Sequence, residues 1–312
     1  MTTQEIFDLG VKLGIKTDLR GEQKVKAFLE RAKLKYEKLS KEAKAEFDLE
    51  KLSNPYSDSR VLVDNKKKEI KKIVVGVDLE AAELLLAREL GADLAFSHHP
   101  EGKALADLHT VMELQAEVLA DYGVPINVAE QITLPRISEV GRGVVSGNYN
   151  RNVDFAKIIK MDYFCMHTPC DNLGARFMVD LIAKKNPEYI EDLLDLIKEI
   201  PEYKEAAKLN AGPKLFVGSS ENHCGKIAVT DFTGGTSGSK DIYEAMSHAG
   251  IGTIIGMHMS EEHRKEAEKN HINVVVAGHM SSDSLGLNLF CDELEKKGIE
   301  IIPISGFFRI AR

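Results

Sequence analysis

Two adjacent histidines, His98 and His99, are the residues of this chain best suited to metal chemistry. They directly follow the apolar segment 92–96, which is typical of a buried strand, and they directly precede Pro100. Because a strand turns successive side chains to opposite faces, neighbouring imidazoles serve two different ions, or one ion where the backbone bends, and proline disfavours a helix at His99. The pair therefore favours a dinuclear site, although a histidine pair taken alone also fits a solvated loop.

A dinuclear site needs further imidazoles and at least one carboxylate, because a carboxylate can span two cations and offset their repulsion. His279 and Asp283 lie four residues apart where a strand gives way to a helix, so both side chains share one helical face. The Asp283 carboxylate also fits a simpler role at the positive end of the helix dipole. Asp171 follows another apolar segment and is favoured as a ligand over its neighbours His167 and Cys170. His167 suits a buried position or one that supports a ligand without contacting the metal, and Cys170 suits a small apolar side chain.

A glycine-rich loop at 233–239 follows a predicted strand and precedes a predicted helix. Glycines let backbone N–H groups approach an anion, and a helix terminus adds partial positive charge, so the loop is a candidate cradle for a substrate phosphate. The candidate substrate-binding residues are Gly234, Gly235, Gly238 and Ser239. The spacing lacks the Gly-Lys-Ser/Thr of a P-loop, which disfavours nucleoside-triphosphate hydrolysis of that type, and a tight turn is the alternative.

Length and composition describe an ordinary globular protein. A chain of 312 residues suffices for about two domains, and 49 acidic against 41 basic residues give a formal charge of −8. That balance disfavours a nucleic-acid binder, which needs a clustered cationic surface. The four cysteines lack the spacing and density of a secreted scaffold, and the chain shows neither a signal-peptide pattern nor a membrane-spanning apolar run, so we expect a cytoplasmic protein without a membrane partner.

The elements that must position these residues predict an α/β fold with two similar lobes. A strand, a helix and a second strand run through 73–96, and the same order returns through 227–255. Each unit ends in a histidine-bearing loop, the second with His258 and His263, which indicates a weak internal duplication. Because parallel strands with crossover helices place ligands at their carboxyl ends, we expect both loops to face one cleft.

The predicted organisation has four parts. An N-terminal helical segment spans 1–57, a first α/β lobe 58–185, a helical connecting insert 186–225 and a second α/β lobe 226–312. The last part is predicted to hold a strand at 271–277, a helix from about 282 to 297 and a final strand at 299–302. We expect mixed sheets with flanking helices and a metal site in the cleft between the lobes.

Taken in order, these motifs resemble a known family, the dinuclear metal-centre hexameric proteins named NGG-interacting factor three-like and often described as GTP cyclohydrolase I type 2 homologues. The similarity covers most of the chain after about Asp58 and runs through 74–79, 97–100, 167–171, 226–239 and 278–283. The resemblance implies two similar lobes, a ring-like homohexamer and two divalent metal ions. The positions that the resemblance assigns as metal ligands are His98, His99, Asp171, His279 and Asp283.

In three places the chain departs from the family pattern. Asp283 stands where the family usually has glutamate, which leaves open whether the shorter side chain bridges two metals, and Ser97 stands where threonine is usual. The interval from His99 to Asp171 is longer than in the family. Glu130 is therefore the alternative to Asp171 as the middle carboxylate.

The sequence supports two functional hypotheses. The first is a metal-dependent hydrolase acting on a nucleotide-like or other phosphate-bearing heterocyclic metabolite, cyclohydrolase-like by resemblance, with His258 and His263 as candidates for proton transfer. The alternative is a non-catalytic metal-binding regulatory or scaffold protein, because a fold does not decide function. Histidine and carboxylate ligands suit Zn, Mn, Fe, Co or Ni, so the ligand types do not distinguish these metals.

Overall fold

The computed structural model describes residues 1–67 and 69–312 of the chain. Within these ranges the strands form two mixed sheets flanked by helices, and the predicted α/β class is confirmed. The strands are β1 (Arg60–Val63), β2 (Lys72–Gly76), β3 (Leu94–Ser97), β4 (Asp162–Cys165), β5 (Lys214–Val217), β6 (Lys226–Val229), β7 (Ile251–Gly256), β8 (Asn273–Val276) and β9 (Glu300–Ile304).

The helices connect and cover the strands. They are α1 (Thr3–Thr17), α2 (Glu22–Glu37), α3 (Lys41–Glu46), α4 (Ala81–Glu89), α5 (Gly102–Ala106), α6 (Leu108–Val111), α7 (Glu113–Asp121), α8 (Ile126–Val145), α9 (Arg151–Ile158), α10 (Thr168–Lys185), α11 (Ile190–Lys198), α12 (Pro201–Lys208), α13 (Ile242–His248), α14 (Glu261–Lys269) and α15 (His279–Glu295). A 3-10 helix spans Leu49–Leu52. None of the helices in the described part of the chain has the length and apolar character needed to cross a membrane.

The two sheets share one strand order. The first sheet runs β1-β4-β3-β2-β9 and the second runs β5-β8-β7-β6. Four consecutive strands of the first sheet are parallel (β4, β3, β2 and β9), as are three of the second (β8, β7 and β6), and the edge strand beside β4 or β8, β1 or β5, is antiparallel to its neighbour. This repeated order is compatible with the predicted duplication.

Two strands pair across the boundaries of the predicted parts. β9 falls within the predicted second lobe, 226–312, yet it pairs in parallel with β2 of the first sheet. β5 falls within the predicted helical insert, 186–225, yet it pairs with β8 of the second sheet. A local apolar pattern indicates a strand but carries no information about the strand it pairs with. The pattern therefore could not predict which sheet β9 and β5 join. The division into domains itself stays a prediction.

Helix α15 links the second half of the chain to the first sheet. The ring centroid of Phe290 on α15 lies 5.8 Å from that of Phe96 on β3, and the Phe96 and Phe164 centroids are 4.6 Å apart. All three rings are buried in one apolar cluster. α15 therefore packs where the first sheet and the second half of the chain meet.

Helices α10 and α15 follow β4 and β8, the parallel strands that adjoin the antiparallel edge strand of each sheet, and they pack closely against each other. A Cβ added to Gly286 on α15 would lie 2.3 Å from the carbonyl oxygen of Cys170, and one added to Gly174 on α10 would lie 3.5 Å from the backbone nitrogen of Gly286. Only a glycine at 286 permits this approach. The close crossing brings the first turns of the two helices, and the side chains they carry, to one place.

Candidate metal centre

The five side chains predicted as metal ligands meet at the carboxyl ends of the parallel strands. His98 and His99 directly follow β3, Asp171 lies in the first turn of α10, and His279 and Asp283 lie one turn apart at the start of α15. Within each of three groups of side chains, ligand atoms lie within 4.8 Å of one another. The groups are His98, Asp171 and Asp283; His99, His279 and Asp283; and His98, His99 and His167.

The first group is buried, with no side chain more than 4% exposed. His98 Nε2 lies 3.2 Å from Asp171 Oδ1 and 3.5 Å from Asp283 Oδ1. The other ring nitrogen, Nδ1, donates a hydrogen bond to the carbonyl oxygen of Met166 at 3.2 Å, which fixes the ring with Nε2 toward the carboxylates. We call His98, Asp171 and Asp283 the inner group.

The second group lies nearer to solvent. The Nε2 atoms of His99 and His279 lie 3.6 Å and 3.5 Å from Asp283 Oδ2, and the two side chains are 26% and 38% exposed. Asp78 Oδ1 lies 2.7 Å from His99 Nδ1, so that ring too is held with Nε2 toward the centre. We call His99, His279 and Asp283 the outer group. Asp283 belongs to both groups and turns one oxygen to each.

Several polar atoms at the centre lack partners. His98 Nε2, Asp171 Oδ1 and both carboxylate oxygens of Asp283 are buried and, among the described residues, receive no hydrogen bond of adequate geometry. Buried polar groups are nearly always satisfied, because an orphaned one costs about 1–3 kcal/mol. Unpartnered nitrogen and oxygen atoms that face one another fit a shared cation, which is the partner that this set of donors suits. The buried histidines and aspartates could therefore hold a metal ion.

The charges of the centre shift one another's pKa. Burial alone would lower the pKa of His98, but the carboxylates of Asp283 and Asp171 outweigh burial and raise that pKa well above its usual value. Burial would raise the pKa of Asp283, but His98 and the neighbouring imidazoles lower it below the usual value. Without a cation, a proton on His98 thus offsets the carboxylates. That proton must leave before Nε2 can bind a metal.

His167 is a further imidazole of the cluster, and the sequence interpretation placed it behind the ligands. Its Nε2 lies 3.6 Å from Asp171 Oδ2, and its ring centroid lies 4.9 Å from that of His98. Asp58, which is buried, accepts hydrogen bonds from His167 Nδ1 at 2.9 Å and from Thr168 Oγ1 at 2.6 Å. Asp58 therefore orients His167 toward the centre.

Asp58 was missed by the sequence interpretation, which named His167 but favoured Asp171 over it as a ligand. Asp58 lies 109 positions before His167 in a loop of turn residues, where nothing local indicates a partner. His167 did carry a signal, since it precedes Asp171 by four residues after β4, as His279 precedes Asp283 by four after β8. The repeated histidine and aspartate spacing could have placed His167 at the centre.

Glu130, the alternative middle carboxylate, is exposed on α8. Among the described residues it belongs to none of the three groups, whereas Asp171 lies within 3.2 Å of His98. The long interval between His99 and Asp171 is occupied by helices α5 to α9. The structure thus brings Asp171, and not Glu130, to the histidines.

The glycine-rich loop at 233–239 packs against helices of that interval. Gly234 and Gly235 both have φ of +89°, which favours glycine, and a Cβ on them would lie 2.9 Å from Leu114 and 3.1 Å from a side chain of α6 respectively. The side-chain amide of Gln115 donates to two carbonyl oxygens of the loop at 2.8 Å and 2.7 Å. Close packing accounts for these two glycines, and a phosphate cradle at the loop stays a prediction.

His258 lies beside the centre. Its ring centroid is 4.9 Å from that of His279. Its Nδ1 lies 3.3 Å from Asp231 Oδ2 and 3.3 Å from the hydroxyl oxygen of Ser237. These contacts hold the ring at the rim of the outer group.

His263 is more remote from the centre. Its Nδ1 lies 3.0 Å from the hydroxyl oxygen of Tyr243, and burial lowers its pKa below the usual value. His263 and His258 both line a pocket next to the centre, together with Gly238 and Ser239 of the glycine-rich loop. The predicted proton-transfer and substrate-binding residues therefore lie partly around one pocket, while their roles stay predictions.

Comparison with solved structures gives clear neighbours. The chain is similar to a NIF3 superfamily protein from Sphaerobacter thermophilus, with 29% identity over 80% of this chain and 92% of that chain and a TM-score of 0.74. It is also similar in fold to reduced HcgD from Methanocaldococcus jannaschii, with 20% identity over 78% of this chain and 87% of that chain and a TM-score of 0.51. No family model and no curated protein matches the chain. The resemblance to the NGG-interacting factor three-like (NIF3-like) family that the motifs predict is confirmed by the first of these structures.

Proposed function

We propose that this chain is a metal-dependent hydrolase with two divalent cations, and that Asp283 bridges them. The observation that carries the proposal is the state of the Asp283 carboxylate, whose two oxygens are buried without a hydrogen-bond partner among the described residues and face different imidazoles. A carboxylate shared in this way offsets the repulsion between two cations. His98 and Asp171 would hold the inner ion, and His99 and His279 the outer ion.

The outer position is the one suited to catalysis. Catalytic metal sites keep one coordination position open, whereas structural sites are closed by protein ligands. The inner group is almost fully buried, while His99 and His279 of the outer group are 26% and 38% exposed. Divalent cations held there supply the Lewis acidity that activates water and polarises a scissile bond. His258, set against His279 and held by Asp231, stays the nearer candidate for proton transfer, with His263 behind it.

The substrate class follows from the family resemblance and from the pocket beside the centre. A nucleotide-like or other phosphate-bearing heterocyclic metabolite offers a ring that would fill the apolar pocket and present its hydrolysable bond to the cations. The proposed reaction class is hydrolysis of the cyclohydrolase type. Zn, Mn, Fe, Co and Ni all suit the imidazole and carboxylate donors.

Metal content and turnover test this proposal together. The full chain is stripped with a chelator, reloaded separately with Zn, Mn, Fe, Co and Ni, and analysed for bound metal by mass spectrometry and for product release from GTP, ATP and p-nitrophenyl phosphate. We expect two ions per chain and turnover with at least one metal. Asp283→Asn should lose both ions, while the matched control Glu293→Gln, an acid on the same helix whose carboxylate pairs with Lys296, should keep them.

Each outcome has a distinct meaning. A chain that takes up no divalent ion contradicts the metal assignment, and so does an Asp283→Asn variant that keeps both ions. Two bound ions without turnover of any of these compounds favour the alternative function, a metal-binding regulatory or scaffold protein.

We further propose assembly into a homohexamer, which the family resemblance implies. Leu85 and Leu86 on α4, with Leu90 at its end, are exposed apolar side chains that a second copy would cover. Native mass spectrometry of the full chain tests the assembly, and a stable monomer at micromolar concentration would contradict it.

A further inference from the structure

An apolar pocket lies beside the candidate metal centre, between the second sheet and helices α7 and α8. Its apolar walls include Leu114, Val118, Met246, Ile254 and Val274. His258 lines the pocket and also lies against His279 of the outer group, so a molecule bound in the pocket lies next to the metal centre.

The pocket carries a carboxylate and, among its described lining residues, neither lysine nor arginine. The carboxylate belongs to Asp231, which is half-buried and held at φ +56°, a left-handed conformation that aspartate tolerates. The nearby Arg136 is engaged elsewhere, since it donates to the carbonyl oxygen of Ser237 and pairs with Glu139. Asp231 therefore has histidine and hydroxyl neighbours but no permanent cation against it within the pocket.

This balance of charge selects among ligands. An anionic group placed in the pocket would lie against a carboxylate in apolar surroundings, where repulsion is weakly screened. A neutral or cationic group with N–H donors would instead pair with the Asp231 carboxylate, which is partly withdrawn from water. The apolar walls favour a flat ring behind those donors.

We propose that this pocket binds an aromatic or heteroaromatic ring that bears an amidine-like pair of N–H donors, and that the Asp231 carboxylate accepts hydrogen bonds from that pair. A planar carboxylate matches two parallel N–H groups in a bidentate arrangement. The inference rests on the proposed function only where it assigns the ring to the substrate. In that case the edge of the ring opposite the N–H donors, which carries the scissile bond of a cyclohydrolase substrate, faces the outer group on the other side of His258.

Three probes that share one ring test the pocket. Benzamidine carries a cationic pair of N–H donors, benzamide a neutral amide and benzoate an anion. Binding to the metal-free full chain is measured by calorimetry, and the imidazole signals of His258 and His263 in NMR spectra report where each probe binds. We expect benzamidine to bind at least about tenfold more tightly than benzoate, with benzamide between them, and to shift both imidazole signals.

Variants sharpen the comparison. Asp231→Asn keeps the shape and a residue type that accepts left-handed φ, and it should remove the preference for benzamidine. Asp241→Asn removes the same charge from an exposed position at the start of α13 and should leave the preference unchanged. Equal binding of benzoate, unmoved imidazole signals, or a preference that survives in Asp231→Asn would overturn the proposal. The wild-type comparison decides it alone if Asp231→Asn does not fold.

The outcome is separable from that of the proposed function, because these measurements use neither metal nor turnover. If the chain binds benzamidine as expected but hydrolyses none of the compounds tested, the pocket proposal is supported and the assignment as a hydrolase is contradicted. If the chain binds two ions and turns over a substrate but does not bind benzamidine, the hydrolase assignment is supported and the pocket proposal is contradicted.

Discussion

The close crossing of α10 and α15 makes the metal centre depend on one glycine. Gly286 lies one turn after Asp283, and a Cβ added there would lie 2.3 Å from the carbonyl oxygen of Cys170 and 3.5 Å from the backbone nitrogen of Asp171. Ordinary contact begins at 3.4 Å, so the Gly286→Ala methyl group requires the two helices to separate by about 1 Å. The atoms that must move belong to the backbone that carries Asp171.

The cost of this substitution can be worked from the contact. Overpacking a core costs about 1–3 kcal/mol, and a collision with backbone belongs at the upper end because no side chain can rotate away. The higher helix propensity of alanine offsets about 1 kcal/mol of this cost. We therefore expect the free energy of unfolding to fall by about 2 kcal/mol in total. Metal binding should suffer more, because metal–ligand distances tolerate only about 0.2 Å and the shift between Asp171 and Asp283 is larger.

Gly174→Ala is the matched control. Its added Cβ would lie 3.5–3.7 Å from backbone atoms of Gly286 and Ser282, which is ordinary contact, so the substitution should stabilise the helix by up to about 1 kcal/mol and leave metal content unchanged. Urea unfolding of the metal-free variants measures stability, and mass spectrometry of reloaded protein measures bound metal. Equal unfolding midpoints and equal metal content in the two variants would refute the idea that the helix crossing sets the site.

Four further predictions concern His98 and two carboxylates behind the candidate ligands. Asp58→Asn, which weakens a buried acceptor of His167, should lower metal affinity by about 10–100-fold in chelator competition, and unchanged affinity would exclude an orienting role. Asp78→Asn should have a smaller effect in the same assay, because Asp78 is 60% exposed and water can replace its contact with His99. Metal affinity should rise between about pH 6 and pH 8, because the raised pKa of His98 means that binding releases a proton, which calorimetry in two buffers counts. The same raised pKa stabilises the metal-free fold, fully below the usual histidine pKa, and that contribution should be lost as pH rises from the usual value through the raised pKa of His98. Unfolding curves that do not change with pH above the usual value would contradict the charge state assigned to His98.

The sequence was sufficient for the parts of the centre that local patterns encode. An apolar run that ends at His98 and His99 indicates the carboxyl end of a strand, and a spacing of four residues from His279 to Asp283 indicates one face of a helix start. Both features depend on periodicities of the backbone and do not require a partner to be known. The α/β class follows in the same way from alternating strands and helices.

Other parts depend on contacts between distant positions, which no local pattern contains. Asp58 contacts His167 across 109 positions of the chain. β9 pairs with β2 although all the strands of the second sheet lie between them in the sequence. The glycine-rich loop shows a different limit. A glycine lets either an anion or a neighbouring helix approach the backbone closely, so a glycine-rich loop does not show which of the two it accommodates. At Gly234 and Gly235 the space beside the backbone is occupied by side chains of α6 and α7.

Equivalent positions in the two sheets carry different chemistry. Asp78 lies two residues after β2 and contacts His99, two residues after β3; Asp231 lies two residues after β6 and contacts His258, two residues after β7. The residue before the histidine is another histidine in the first case, but in the second it is Met257, which is buried in an apolar cluster. Replacing an imidazole by a thioether removes a ligand for a hard or borderline cation. The same aspartate and histidine pair therefore orients a candidate metal ligand after the first sheet, while after the second it lines the pocket beside the candidate metal centre.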